Sequence, residues 1–180
     1  MKFLKEADVK QKRVLVRADF NVTLDKKGRI LDDFRIKTTI PTINYLIEQG
    51  AKVILAAHLG RPEGKKKREL TLAPLAKRLT KLLGKKVGFS SDCVGDKTKK
   101  EVFSLKPGQV LLLENLRFYQ GEEKNDKVFA AKLADLAQVY VNDGFGVSHR
   151  AHASVEAITK LLPSFAGFVL EREIKVLSSV

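Results

Sequence analysis

Four arginines in this 180-residue chain stand just past short apolar runs, each beside groups that could help hold an anion. Arg17-Ala18-Asp19-Phe20-Asn21 leaves the first run and His58-Leu59-Gly60-Arg61-Pro62 the second. Glu114-Asn115-Leu116-Arg117-Phe118 leaves a later run, and Asn142-Asp143-Gly144-Phe145-Gly146 leaves the last, followed by His149-Arg150-Ala151-His152. Only ten arginines occur in the chain, so four at such places are informative. Arginine carries a planar fork of donors matched to phosphate and carboxylate oxygens and stays charged at any working pH. Several converging on one mouth would repel one another until a small, multiply charged anion arrived. Each contact at 4 Å is then worth up to about 4 kcal/mol at an effective dielectric of 20, before desolvation. The plainer alternative pairs each arginine with a neighbouring acid such as Glu114 or Asp143. Asp19 and Asn21 could orient a hydroxylated substrate or simply be turn residues.

Such side chains meet only if the apolar runs are strands of one sheet. Arg13–Ala18, Lys52–Ala57, Lys86–Ser90, Gln109–Glu114 and Val139–Asn142 have near-continuous apolar centres, the pattern of parallel strands buried on both faces. Helical period fills the gaps. Leu72–Leu83 repeats apolar residues at spacings of three and four before Gly84, a C-cap. Asn125–Ala137 keeps the same period, with Asn125 or Asp126 as N-cap. Ser154–Leu162 reads as a helix capped by Ser154 and closed by Pro163. Residues 33–49 read as a helix that Pro41 must kink or delay. The alternation predicts a single three-layer α/β/α Rossmann-like domain around a parallel sheet of about six strands, with ligands beyond the carboxyl ends of the strands.

Composition narrows the class. Apolar residues make up 44% of the chain, enough for a core, and the longest apolar runs are too short to cross a membrane. The amino-terminal Met1–Glu6 turns to charge too early for a secretory signal. Cys93, the only cysteine, has no partner for an intrachain disulfide, which fits a reducing cytoplasm. The net charge of +13 lies in residues 1–90, with 22 basic and 9 acidic side chains; residues 91–180 hold 12 of each. That asymmetry suits an anionic partner, whether nucleic acid, membrane surface or phosphorylated metabolite.

The segments resemble those of phosphoglycerate kinase, specifically its N-terminal, 3-phosphoglycerate-binding domain. The likeness rests on Val14-Leu15-Val16-Arg17-Ala18-Asp19-Phe20-Asn21-Val22, Ala57-His58-Leu59-Gly60-Arg61-Pro62, Leu112-Leu113-Glu114-Asn115-Leu116-Arg117-Phe118, Val141-Asn142-Asp143-Gly144-Phe145-Gly146 and His149-Arg150-Ala151-His152-Ala153-Ser154. Thr23 and Gly144 depart from it, where the family usually has proline and alanine. The resemblance implies a binding domain over residues 1–170 and the start of an interdomain helix over 171–180. It implies a reversible transfer of phosphoryl between ATP and the carboxylate of 3-phosphoglycerate, giving 1,3-bisphosphoglycerate, in glycolysis. Asp19 and Asn21 would hold the carboxylate-hydroxyl end of that substrate, with Phe20, Leu59 and Gly60 lining the pocket by their backbone. His58, Arg61, Arg117 and Arg150 would bind or flank the distal phosphate, and Arg35 would screen charge at the reacting carboxylate. No cofactor or metal is expected on this chain, since Mg-ATP or ADP would bind a separate C-terminal domain. By the same resemblance the protein is a cytoplasmic monomer whose partners are its substrate and that C-terminal domain, and this chain alone binds substrate without kinase activity.

Two other motifs fail. Gly60–Lys65 has the wrong interval for a phosphate-binding P-loop, and His149 breaks the dinucleotide fingerprint that Gly144-Phe145-Gly146 begins. The rival classes are a nucleic-acid-binding module, resting on +13 and on Lys65-Lys66-Lys67-Arg68, and a freestanding anion-binding regulatory domain. Against the first, there is no Trp, and Phe118-Tyr119 is the only adjacent aromatic pair near the expected pocket, a poor platform for stacking bases.

Overall fold

A computed structural model describes residues 1–25 and 27–178; Lys26, in an expected polar loop, and Ser179 and Val180, at the end of the expected interdomain helix, lie outside the described residues. The strands are β1 (Arg13–Arg17), β2 (Lys52–Ala56), β3 (Val87–Phe89), β4 (Val110–Leu112), β5 (Val139–Asn142) and β6 (Ser164–Ala166). The helices are α1 (Phe34–Glu48), α2 (Ala73–Leu83), α3 (Asp96–Phe103), α4 (Gln120–Glu123), α5 (Lys127–Ala134) and α6 (Phe168–Leu177). All six strands pair in parallel, in the order β3-β4-β2-β1-β5-β6.

Register explains the three layers. Val14 lies opposite Val53 and Val139, and Val53 opposite Val110, so alternate residues of neighbouring strands share a face. Val14, Val16, Val53, Leu55, Val110, Leu112, Val139 and Val141 join one core, closed by Ile36, Ile43 and Leu46 of α1 and Leu75 and Leu79 of α2. Leu15, Ile54, Leu111 and Tyr140 join the other, closed by Val102 of α3 and Phe129 and Leu133 of α5. Burying a Val, Leu or Ile side chain is worth about 1.5–3 kcal/mol, so both faces demand cover and continuous apolar strands are the result. Tyr45 of α1 meets Phe168 of α6 edge to face, with ring centroids 5.2 Å apart.

Local differences have physical reasons. Pro41 does not delay α1, which runs unbroken through it from Phe34; the proline is exposed, where water can take the place of the missing amide donor. Asp126, rather than Asn125, caps α5, its carboxylate accepting from the Phe129 amide at 2.7 Å. The α-helix expected over Ser154–Leu162 is a single 3-10 turn over Ala157–Lys160, because Ser154 is engaged across the fold instead of capping. The helix α3 buries only Thr98 and Val102, too weak a stripe to read from sequence. The helix α6 opens at Phe168, ahead of the expected 171. No helix among the described residues is long and apolar enough to cross a membrane.

From β1 the chain moves to β2 on one side, and later returns to β5 on the other. The carboxyl ends of β1 and β5 therefore flank a switch point, where open α/β sheets have their ligand crevice.

Candidate functional site

A hydrogen-bonded arc joins the loops after three strands. Arg35, in the first turn of α1, pairs with Asp19 Oδ2. Asp19 Oδ1 accepts from the Asn21 amide at 3.2 Å, and Asn21 Oδ1 accepts from the Gly60 amide at 2.9 Å. The Gly60 carbonyl in turn accepts from Arg117 Nη1 at 2.9 Å. Gly60 can turn the chain here because its φ is +63°, a conformation that a side chain disfavours. Arg35, Asp19, Asn21, Gly60 and Arg117, five of the residues singled out from the sequence, thus form one connected rim.

Beneath the rim lies a group of cations. Arg17 and Arg117 are 0% and 2% exposed, which is rare for arginine. Arg117 Nε lies 3.3 Å from Glu123 Oε1 but is misaligned for a hydrogen bond, and neither Nε nor Nη2 has a hydrogen-bond partner among the described residues. Burial lowers the pKa of Arg117 from its usual range; Arg150 and Arg17 push the same way, while Glu123 opposes them. His58, also buried, is pushed down to about 2, first by burial and then by Arg17, Arg117, Arg150 and His152. His58 is therefore neutral at any working pH. His152 is held low by burial too, against the pull of Glu122, so its 4.0 Å approach to Glu122 is not an ion pair. Arg150 is half-buried and Arg61 exposed, and neither side chain has an acidic partner among the described residues. Arg17, Arg117 and Arg150 thus lie within electrostatic reach of one another and of His58, with two donor groups of Arg117 unpartnered among the described residues.

The plainer pairing of each arginine with its neighbouring acid does not form at Glu114 or Asp143. Glu114 is spent on the segment leading into α2, accepting from Thr71 Oγ1 at 2.7 Å and the Leu72 amide at 2.8 Å. Asp143 accepts from the Val169 amide at the start of α6, at 2.9 Å. The pairs that do form are Arg35 with Asp19 and Arg117 with Glu123.

Phe20 and Leu59 sit deeper than their neighbours. The Phe20 side chain is fully buried in the first core. The Leu59 amide and carbonyl are both held by the Asn115 side chain, at 3.3 and 2.8 Å, so this stretch braces the loop. Asn115, fully buried, also accepts from the Arg117 amide at 3.1 Å and so places Arg117 relative to Leu59. Its role was not read from sequence; an amide just past a strand, two residues before an arginine, was the available signal. His149 is exposed. Gly144 has an ordinary φ of −104°, and a Cβ there would meet Val147 Cγ2 at 2.9 Å, so the small residue goes with the valine.

Gly146 sets up a test. A Cβ there would lie 2.6 Å from Asp19 Oδ2 and 3.5 Å from Arg35 Nη1, while its backbone would tolerate alanine. The obstructed atom is the end of a side chain and can move. Gly146→Ala is therefore expected to leave the melting temperature within a few degrees, and to displace the Asp19–Arg35 pair and weaken anion binding roughly 10-fold by titration calorimetry.

The nucleic-acid reading loses its aromatic support. Phe118 is buried, and Tyr119 stacks on Phe129 with centroids 5.0 Å apart. Within the basic run, Lys66 pairs with Asp92 at 3.4 Å.

Comparison with known proteins gives a consistent picture. The model of the phosphoglycerate kinase family matches residues 4–180. The chain is 55% identical to phosphoglycerate kinase of Desulforapulum autotrophicum over 176 residues, covering 97% of this chain and 45% of that protein. It is 56% identical to cytosolic phosphoglycerate kinase of Triticum aestivum over 175 residues, covering 97% and 43%. Among solved structures, phosphoglycerate kinase from Pyrococcus horikoshii superposes with a TM-score of 0.91 at 34% identity, covering 99% of this chain and 45% of that one. The enzyme from Coxiella burnetii superposes with a TM-score of 0.88 at 37% identity, covering 97% and 43%. The chain spans less than half the length of these relatives.

Proposed function

This chain belongs to the phosphoglycerate kinase family, and we propose that it forms the 3-phosphoglycerate-binding half of such an enzyme. One observation carries the reading: Arg117 is buried beside Arg17 and Arg150 with two donors that have no hydrogen-bond partner among the described residues. The phosphate of the substrate would be bound by Arg117, Arg150, Arg61 and the neutral His58, and the carboxylate-hydroxyl end by Asp19, Asn21 and Arg35.

The chemistry asked of these residues is positioning and charge screening. A carboxylate needs no base to act as nucleophile, yet it must approach an already anionic phosphoryl group. Arg35 has half its side chain exposed and is tethered by Asp19, so it can reach toward that approach. His58, with its pKa pushed down to about 2, is too weak a base to take a proton, and its neutral ring serves as a hydrogen-bond donor. The transferred group would come from Mg-ATP held by a C-terminal half, which would complete the active site. In this reading the protein is a cytoplasmic monomer of glycolysis.

Calorimetric titration of the 180-residue chain with 3-phosphoglycerate should give saturable 1:1 binding, with no ATP-dependent turnover. Absence of binding at millimolar substrate would overturn the proposal. In the full-length enzyme, Arg35→Ala should lower kcat by about 10³-fold or more, as loss of a charge-screening arginine does. A change confined to KM would remove that role.

A further inference from the structure

Below the rim a second chain of contacts starts from a carboxylate that the proposed mechanism does not use. Glu122, in α4, is fully buried and accepts from the Ser154 amide at 3.0 Å and from Ser154 Oγ at 2.5 Å. Ser154 Oγ accepts from Arg17 Nε at 2.8 Å. Arg17 Nη1 donates to the Ala18 carbonyl, and Arg17 Nη2 lies 3.1 Å from His58 Nδ1. Glu122, Ser154, Arg17 and His58 come from four separate segments, and their linkage is buried throughout.

We infer that Ser154 and Glu122 are positioning residues for the site: through Arg17 they hold His58 as the Nε2–H tautomer, the form that can donate to a bound phosphate. A guanidinium has hydrogens and no acceptor, so in its contact with Arg17 the Nδ1 of His58 can only accept. The neutral ring then carries its one proton on Nε2. Burial and the surrounding arginines keep His58 neutral, which leaves the tautomer as the variable the protein must fix. The serine is the element that makes this possible. A direct, bidentate pair with Glu122 would draw the arginine fork onto the carboxylate. Routed through one hydroxyl, Glu122 balances the buried charge while engaging Nε alone, and Nη1 and Nη2 stay aimed at Ala18 and His58. The hydroxyl must accept from Arg17 and donate to Glu122, which fixes the direction of every bond in the relay. Tyr140 steadies the serine further, its hydroxyl donating to the Ser154 carbonyl at 2.7 Å.

The inference rests on the reading of this site as a phosphate-binding one, but its first test needs no ligand. In the ¹⁵N-labelled 180-residue chain, long-range proton–nitrogen correlation of the His58 ring should show Nε2 protonated and Nδ1 bare. Ser154→Ala should populate the other tautomer and raise the Kd for 3-phosphoglycerate about 10-fold, as loss of a charge-assisted bond would. Ser154→Thr, which keeps a hydroxyl, should restore both. If Ser154→Ala does not fold, Glu122→Gln takes its place and should move tautomer and affinity in the same direction. A wild-type His58 protonated on Nδ1 overturns the inference, as does a folded variant with unchanged tautomer and affinity. Should the tautomer respond as stated while wild type fails to bind 3-phosphoglycerate, the relay stands and the functional reading falls.

Discussion

Replacing Arg117 by alanine should weaken 3-phosphoglycerate binding by roughly 100-fold, about 3 kcal/mol. The size follows from where the guanidinium sits. It is 2% exposed, and its Nη2 and Nε have no hydrogen-bond partner among the described residues, so this donor set already bears the cost of leaving water. A bound phosphate would recover that cost, and alanine would forfeit the recovery. The free protein should respond differently. Arg117→Ala loses one bond to the Gly60 carbonyl and a pair with half-exposed Glu123, but it also relieves repulsion from Arg150 and Arg17. Stability without ligand should therefore change by no more than about 1–2 kcal/mol. Stabilisation by ligand separates the two roles. At 100 times Kd, 3-phosphoglycerate should add about 2.7 kcal/mol to the wild type and almost nothing to the variant at the same concentration. Arg117→Lys keeps the charge and loses the fork, so it should recover only part of the affinity. Equal thermal shifts in wild type and Arg117→Ala, read by scanning calorimetry, would remove Arg117 from the site.

The strands and the loops after them were readable because chemistry and burial coincide there. Short, continuous apolar runs with β-branched residues, such as Val53–Ala57, fit strands covered on both faces, and the ligand crevice of such sheets lies at the strand ends. Asp19, Asn21, His58 and Arg117 therefore stand out in the sequence itself. The depth of each residue does not. Arg17 occupies the last position of β1 and is fully buried, yet nothing in Val16-Arg17-Ala18 separates an interior arginine from a rim arginine. The difference is made by Ser154, 137 residues away, which supplies the acceptor that lets the charge be buried. Ser154 itself was read as a helix cap, since a serine before an apolar stretch usually serves its own backbone. Local pattern lost to a tertiary bond, and the helix it would have started gave way to one turn.

Asp143 should withdraw stability as pH rises from about 4 to about 7. That contribution is read as the difference between wild type and Asp143→Asn, because buried, neutral His58 works in the opposite direction up to its ordinary value of 6.5. The carboxylate is 1% exposed at the end of β5. Burial pushes its pKa up to about 7, outweighing hydrogen bonds from the Val169 amide, the Thr42 side chain and the Leu170 amide. Its Oδ2 has no partner among the described residues, which favours a proton there. The unfolded chain gives up this proton near the ordinary aspartate value of about 4, whereas the folded protein keeps it to about 7. At this carboxylate the folded state binds more protons than the unfolded one over that window, so each step upward in pH lowers the stability that Asp143 contributes. Three pH units correspond to at most about 4 kcal/mol, spent between pH 4 and 7 and constant above. Asparagine keeps an oxygen for the Val169 amide and cannot ionise, so above pH 7 the variant should be the more stable protein by a few kcal/mol. Urea unfolding of both proteins at pH 5 and pH 8 measures the difference directly. The consequence reaches beyond stability, because Asp143 joins β5, whose following loop carries Arg150, to the first turn of α6. Protection of the Val169 amide, corrected for the rise of intrinsic exchange with pH, should fall above pH 7 in the wild type and not in Asp143→Asn. Parallel pH dependence in wild type and Asp143→Asn would show that some other group carries the slope.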